Sequence, residues 1–389
     1  MKRFAFLNLT LLLLINQVCI AQQKAVYGKT KGKLPMLSYG LGEDRLGGAK
    51  MGILDTAVVL RLIDTTKTMY QVQLSKNHTA YIEKSFIQID SVFKPKTFYL
   101  TNSWSVKGLE NKTDLVSISM EEKLPYKSWM EINPSKIMIE LFGVQSNTNW
   151  ITQLSSAKEV RNIYFNQTED DVVQVIIELK HQQHWGYSIG YRNKSLTIFV
   201  NHPPKKLRVK ELVIAVDAGH GGSNTGASGL HSKILEKDLT LKFAKELESR
   251  LKRKGATVIM TRTTDTNFNN NDRVLFLQKQ KPTILISLHL NSSSNNNVNG
   301  VSTYYKHIGF RPLSQAILNE MLEADLKEFG NIGHFNFMLN SPTDFMNTLV
   351  EIAFLSNAED EVKIMDVKFQ RQVADKIYRG IREFIKKAK

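Results

Sequence analysis

The hydrophobic pattern of this chain changes period once, at the proline- and lysine-punctuated stretch "HPPKKLRVK" (202–210), and that change limits what the chain can fold into. Before it, apolar and polar residues alternate in short runs. "AVVLRLI", "MYQVQL" and "TAYIEKSFIQI" are separated by breaks and follow the glycine-rich "GLGEDRLGG"; "LVSISM", "SKIMIELFG", "VVQVIIELK" and "LTIFVN" come after a seam at "VFKPKT" (92–97). Period-two alternation at strand length marks half-buried strands. The first half therefore predicts two small β-rich domains, over 24–91 and 97–201, with 202–210 as a linker.

Beyond the linker the runs become nearly continuous in apolar residues: "LVIAVDA", "ATVIMTR", "TILISLHL", "VSTYYK" and "TLVEIAFLS". Between them, helices are predicted to begin near Lys237, Asn271, Pro312 and Lys368. Leu239, Phe243, Leu247 and Leu251 recur every fourth residue, as do Phe369, Val373, Ile377 and Ile381, which gives one apolar face per helix. Such a text predicts an α/β domain over 211–389, with a mostly parallel sheet covered by helices. In sheets of this kind ligands gather at the carboxyl ends of the strands.

The chain opens with "MKRFAFLNLTLLLLINQVCIAQQ", a charged start, a short apolar run and small residues ending at Ala21. That layout predicts a signal peptide over 1–21, export to the periplasm, and no transmembrane segment. The single cysteine, Cys19, falls inside it, and Gln17 and Val18 are not the small residues that precede a lipidated cysteine. A mature chain without cysteine has neither disulfides nor thiolate metal ligands, so any metal must be held by histidine and carboxylate. The formal charge of +15 would suit an anionic partner, but export and the scatter of the basic residues argue against nucleic acid.

Candidate chemistry collects at one rim of the α/β unit. His220 follows the first strand in "VDAGHGG", Glu236 opens the next helix, and His289 ends the strand "ISLHLN". Two histidines and one carboxylate suit a catalytic zinc site with a fourth position left for water. Glu351, inside the apolar run "TLVEIAFL", needs a partner or a task. General base toward a metal-activated water is the natural one, giving amide hydrolysis without a protein nucleophile. Singly, each residue also has a plain structural reading: a loop histidine held by a hydrogen bond, or a glutamate complementing a helix dipole.

Taken together, "VIAVDAGHGGSNTGASG", Glu236, "TRTTDT", "ISLHLNSS" and "LVEIAFLSNAEDE" resemble the zinc-dependent N-acetylmuramoyl-L-alanine amidases of the amidase-3 type over roughly 211–389. The resemblance implies that His220, Glu236 and His289 bind Zn2+ and that Glu351 is catalytic. It implies a peptidoglycan hydrolase cutting between N-acetylmuramic acid and the L-alanine of the stem peptide. Asn291 agrees with the pattern and is expected to orient a ligand or touch substrate. Asn224 and Asn340 depart from it, standing where aspartate and a basic residue are common.

Some members of that family carry a helix that blocks the zinc and is moved by an activator. Between Tyr305 and Asn336 there is room for one amphipathic helix, Ser314 to Phe329, whose apolar face reads as scaffold, so no built-in autoinhibition is expected. An activator or divisome protein stays open as a partner beside peptidoglycan. The segment 24–91 resembles a bacterial SH3-like module and 97–201 an AMIN-type domain. Both are expected to bind or position the wall, and Trp104, Trp129, Trp150 and Trp185 either stack on sugars or pack the core. Two other readings remain at this level: a non-catalytic peptidoglycan-binding or scaffolding protein, and another zinc hydrolase such as a peptidase or sugar deacetylase.

Overall fold

The computed structural model describes residues 25–42, 46–110 and 112–388; the signal-like segment and Cys19 lie outside the described residues. Residues Val26–Ile89 form a seven-stranded sheet in which the pairings are antiparallel. Its inward positions, among them Leu37, Leu60, Val72 and Ile82, are buried, as the alternation of each strand requires. Residues 99–201 form two further sheets. One is a four-stranded antiparallel sheet of Tyr126–Glu131, Lys136–Phe142, Val160–Glu169 and Val172–Leu179. The other is built on Tyr99–Leu109, Thr113–Met120, Tyr187–Arg192 and Ser195–Asn201, with two short strands added parallel to Tyr99–Leu109. Of the four tryptophans, Trp104 and Trp185 are buried in the core, while Trp150 is 59% exposed.

The remaining chain folds around a six-stranded sheet. Across it the strands run Thr257–Met260, Val213–Ala218, Ile284–Asn291, Met346–Phe354, Val301–Tyr304 and Glu328–Ile332. The first four are mutually parallel; Val301–Tyr304 pairs antiparallel with Met346–Phe354, and Glu328–Ile332 runs parallel to it. One face is covered by α1 (Glu236–Arg253), by α3 (Arg311–Leu322) and by α5 (Val367–Lys387), which follows the short α4 (Ala358–Met365); α2 (Asn270–Gln280) packs on the other face. The four-residue stripes of α1 and α5 are buried, Leu239, Phe243 and Leu247 on one and Phe369, Val373 and Ile377 on the other. Alternation along the strands leaves Ala215, Leu285 and Phe345 for the α2 face, which turns polar toward the strand ends at Asp217, Ser287, His289 and Glu351.

Two local readings of the sequence need correction. The helix expected over Ser314–Phe329 spans Arg311–Leu322 instead. Asp325 then takes a left-handed φ of 56°, Ala324 and Leu326 tuck into the core, and Phe329 joins an edge strand, its ring against Phe354. The helix α4 has no counterpart in the periodic pattern because it is short. Its signal was Asn357 followed by Glu359, Asp360 and Glu361, an N-cap with acids in the first turn. The helix expected to begin near Asn271 is α2, and Asn269 caps it by accepting the Asp272 amide at 2.9 Å.

The three units are joined by hydrogen bonds rather than by the linker alone. Asp55 of the first accepts the Tyr191 amide of the second at 2.6 Å, and Thr343 of the α/β domain accepts that of Tyr187 at 2.7 Å. Asn336, on the loop after Glu328–Ile332, grips the first unit directly. Its amide group donates to the Leu46, Gly47 and Gly48 carbonyls at 3.1, 3.2 and 3.0 Å, and its oxygen accepts the Lys50 amide at 2.9 Å.

Candidate metal centre

The strand Val213–Ala218 delivers the site's first histidine. Past its end the chain turns at Gly219, where a Cβ would lie 2.3 Å from the His289 ring, so only glycine lets the two segments meet. His220 then takes a φ of 60°, an uncommon conformation for a residue with a side chain, and one that its surroundings must enforce. Two buried arginines do so by holding the backbone. Arg262 donates to the Ala218 and Gly219 carbonyls at 2.9 and 3.0 Å. Arg273 of α2 donates to the Ala218 carbonyl at 2.7 Å and to that of His220.

Arg273 is itself fixed by Asp217, at 2.5 Å, a pair in which both side chains are all but completely buried. The Asp217 carboxylate also accepts Thr261 Oγ1 at 2.6 Å and Ser287 Oγ at 2.7 Å. Burial alone would raise this carboxyl, but Arg273 and the two hydroxyls outweigh it and hold it below the usual carboxylate range. A charged network of this kind sits directly beneath the turn that aims His220.

Glu236 opens α1 and faces the same point. Its Oε1 lies 2.9 Å from His220 Nε2 and 3.0 Å from His289 Nδ1, and the two imidazole nitrogens are 3.1 Å apart. In a tetrahedral site with bonds near 2.05 Å the ligand atoms stand about 3.3 Å apart, so the donors already converge to within a few tenths of an ångström of what a small divalent cation requires. Each donor is oriented from behind. Asn224 Oδ1 accepts from His220 Nδ1 at 2.9 Å, which leaves Nε2 as the ligating atom. Glu236 Oε2 accepts the Ala227 amide at 2.9 Å and Oε1 that of Leu290 at 3.1 Å. At Gly226, which takes a φ of +67°, a Cβ would lie 2.4 Å from Glu236 Oε2. Burial works to raise the Glu236 carboxyl, and the two histidines reverse this and drive it far down; Glu236 in turn lifts His220 against its own burial. His220, Glu236 and His289 are the residues that could hold a metal ion among the described residues.

Glu351 is brought beside this group by strand register. It is the parallel partner of His289 on the neighbouring strand, and paired residues of adjacent strands present their side chains to the same face. It is only 7% exposed. On its other side Ser302 is its antiparallel partner, and Tyr304 lies one alternation further on. Asn291, two residues after His289, accepts the Ser292 amide at 2.8 Å. Asn340 is not at the site: it is 1% exposed and donates to the Tyr304 carbonyl and to Asn347, so its departure from the family pattern is a matter of core packing.

Most other histidines have local partners. Ser75 takes up His78, Glu159 takes His181, Ser135 and the Glu131 carbonyl take His184, Asp114 takes His202, and the Ser341 carbonyl takes His307. What sequence reasoning missed was the support. Asp217 was visible three residues before His220, and Arg262 stands in the quoted "TRTTDT", but nothing in the text links either to Arg273, over fifty residues from Asp217.

Residues 214–383 match the N-acetylmuramoyl-L-alanine amidase family. The probable cell wall amidase LytH of Staphylococcus aureus is 32% identical over 191 residues, which are 49% of this chain and 63% of that protein, so the chain spans less than two thirds of that relative's length. Among solved structures, the catalytic domain of CwlV, an N-acetylmuramoyl-L-alanine amidase from Bacillus (Paenibacillus) polymyxa var. colistinus, is 33% identical, pairs 45% of this chain with 98% of that one, and gives a TM-score of 0.43. An N-acetylmuramoyl-L-alanine amidase from Clostridium difficile is 29% identical, pairs 45% with 97%, and gives 0.44. The chain thus carries, over residues 214–383, a domain of the N-acetylmuramoyl-L-alanine amidase family.

Proposed function

We propose that this protein is an exported, zinc-dependent peptidoglycan hydrolase that cleaves the amide between N-acetylmuramic acid and the L-alanine of the stem peptide. The observation that carries the reading is the converging donor set with an acid on the adjoining strand: His220, Glu236 and His289 together, and Glu351 beside His289. Two imidazoles and a carboxylate without thiolate fit zinc in a catalytic setting. Zinc held there supplies Lewis acidity, which polarises the scissile carbonyl and makes water acidic enough to attack near neutral pH.

The chain's own residues do the rest. Glu236, backed by two amides, and His220, fixed by Asn224, keep the donors aimed without reorganisation. Glu351 takes a proton from the attacking water and returns one to the departing L-alanine nitrogen. Asn291, on the same side, orients substrate. The β units at 24–91 and 97–201 serve as wall-binding or positioning modules.

The test is digestion of intact peptidoglycan by the purified full chain with its zinc quantified, beside Glu351→Ala. Stem peptides beginning with L-alanine, released by the wild type and lost in the variant while zinc is retained, are the expected result. Intact peptidoglycan with zinc bound would point to a required activator or to a binding protein, and cleavage at another bond would point to a different hydrolase.

A further inference from the structure

Catalysis by Glu351 requires more than its presence. A general base must come within about 2.6–3.2 Å of the proton it takes, and a misplacement of about 1 Å costs roughly a hundred-fold in rate. A glutamate side chain has three rotatable bonds, so something has to hold it. The side of the site away from the metal donors contains a candidate with no role so far.

The strand Val301–Tyr304 sets the buried Ser302 directly opposite Glu351. Tyr304, two residues on, presents its side chain to the same face. Its hydroxyl stands 3.3 Å from Ser302 Oγ, so the ring leans back along its own strand toward the level of Glu351. Burial raises this phenol, the nearby Glu351 charge adds to the rise, and the Ser302 and Asn291 side chains work against it. Phe335 and Phe337 meet the ring edge to face, at centroid distances of 4.9 and 5.2 Å, and leave Tyr304 only 4% exposed. A buried phenol hydroxyl finds polar partners; Ser302 donates to this one at 3.3 Å, and Glu351 is the register partner of that serine.

We propose that Tyr304 is the positioning residue for Glu351: its hydroxyl, steadied by Ser302 and by the rings of Phe335 and Phe337, fixes the carboxylate and Asn291 on the reactive side of the metal donors. The inference rests on the amidase reading. It differs from simple core filling in one respect, because the role belongs to the hydroxyl and not to the ring.

The experiment is Tyr304→Phe in the zinc-loaded full chain, which keeps the ring and removes only the oxygen. The expected result is a fall in kcat of about ten- to a hundred-fold, with KM, bound zinc and melting temperature unchanged. Ser302→Ala should lower kcat in the same direction by less. The same Tyr304→Phe change made in a Glu351→Asp background should cost little, since the shortened acid no longer reaches the phenol. A smaller fall in kcat, a loss that is equal in both backgrounds, or a loss that tracks zinc content would each overturn the assignment. A zinc-loaded wild type that cuts peptidoglycan at a different bond removes the amidase reading, and with it the role given to Tyr304.

Discussion

Replacing Arg273 by methionine tests the claim that the metal site is held from beneath. The guanidinium makes hydrogen bonds to Asp217 at 2.5 Å, to the Ala218 carbonyl at 2.7 Å and to the Phe268 carbonyl at 2.8 Å, and a further one to His220. Methionine fills much of the volume and makes none of them. Asp217, with no exposed surface, keeps the hydroxyls of Thr261 and Ser287 but loses its cation. Breaking one side of a buried pair costs about 3–5 kcal/mol, a large share of a typical stability of roughly 5–15 kcal/mol. Among the described residues all five α-helices lie in the α/β domain, so the helical far-UV signal follows its unfolding in urea. With an m-value near 3 kcal/mol/M, the midpoint should fall by about 1–1.7 M. The double variant Asp217→Asn/Arg273→Met removes both charges and should recover at least half of the loss. A single variant within about 1 kcal/mol of wild type, or a double variant no more stable than the single, would refute the reasoning.

Other outcomes follow from the same geometry. Asn224→Ala frees the His220 ring, and zinc affinity measured by competition with a chelator should drop about ten- to a hundred-fold while the unfolding midpoint of the metal-free chain holds. Stripping the metal should lower the melting temperature of the wild type, and titrating zinc back should restore it in a concentration-dependent way, as for any ligand that binds only the folded state; a melting temperature indifferent to zinc would contradict the donor set. His307 gives a pH dependence: burial first, then Lys306, push it down to about 3. The folded chain keeps it neutral while the unfolded chain protonates it near 6.5, so its stabilisation is present above that pH and is lost as the pH falls toward 3. Between pH 7 and 4.5 the wild type should lose about 2–3 kcal/mol more than His307→Gln; parallel losses would sink the assignment.

The order of strands and helices in the second half was readable because α1 and α5 carry long buried stripes and the central strands are nearly continuous apolar runs. Two of the candidate site residues could be singled out for the opposite reason. His289 and Glu351 are polar residues inside apolar runs, and such residues stand out only where burial is expected. What could not be read depends on pairing across the sheet. That Glu351 lies level with His289 on one side and Ser302 on the other is a matter of register, which no local pattern encodes. The first two residues of the edge strand Glu328–Ile332 were taken for helix because short half-exposed segments carry too few apolar positions to reveal their period. The grip of Arg262 and Arg273 on the strand end was invisible because arginine is read as surface by default, and only the fold shows both of them buried.

The Asn336 grip says something about how the two ends of the chain can drift in sequence. Its contacts on the first β unit are to backbone: the carbonyls of Leu46, Gly47 and Gly48, and the amide of Lys50. Lys50 adds one side-chain bond, its Nζ donating to the Asn336 carbonyl at 2.7 Å, and the rest of the recognition follows the path of the main chain. The opposite holds at position 336, where a single carboxamide supplies donor and acceptor at once. Aspartate, of the same size, would set an anion against three carbonyl oxygens. The joint is therefore a lock whose key is one side chain, set against a main-chain path that Gly48 also fixes, since a Cβ there would lie 1.8 Å from the Gly40 carbonyl oxygen.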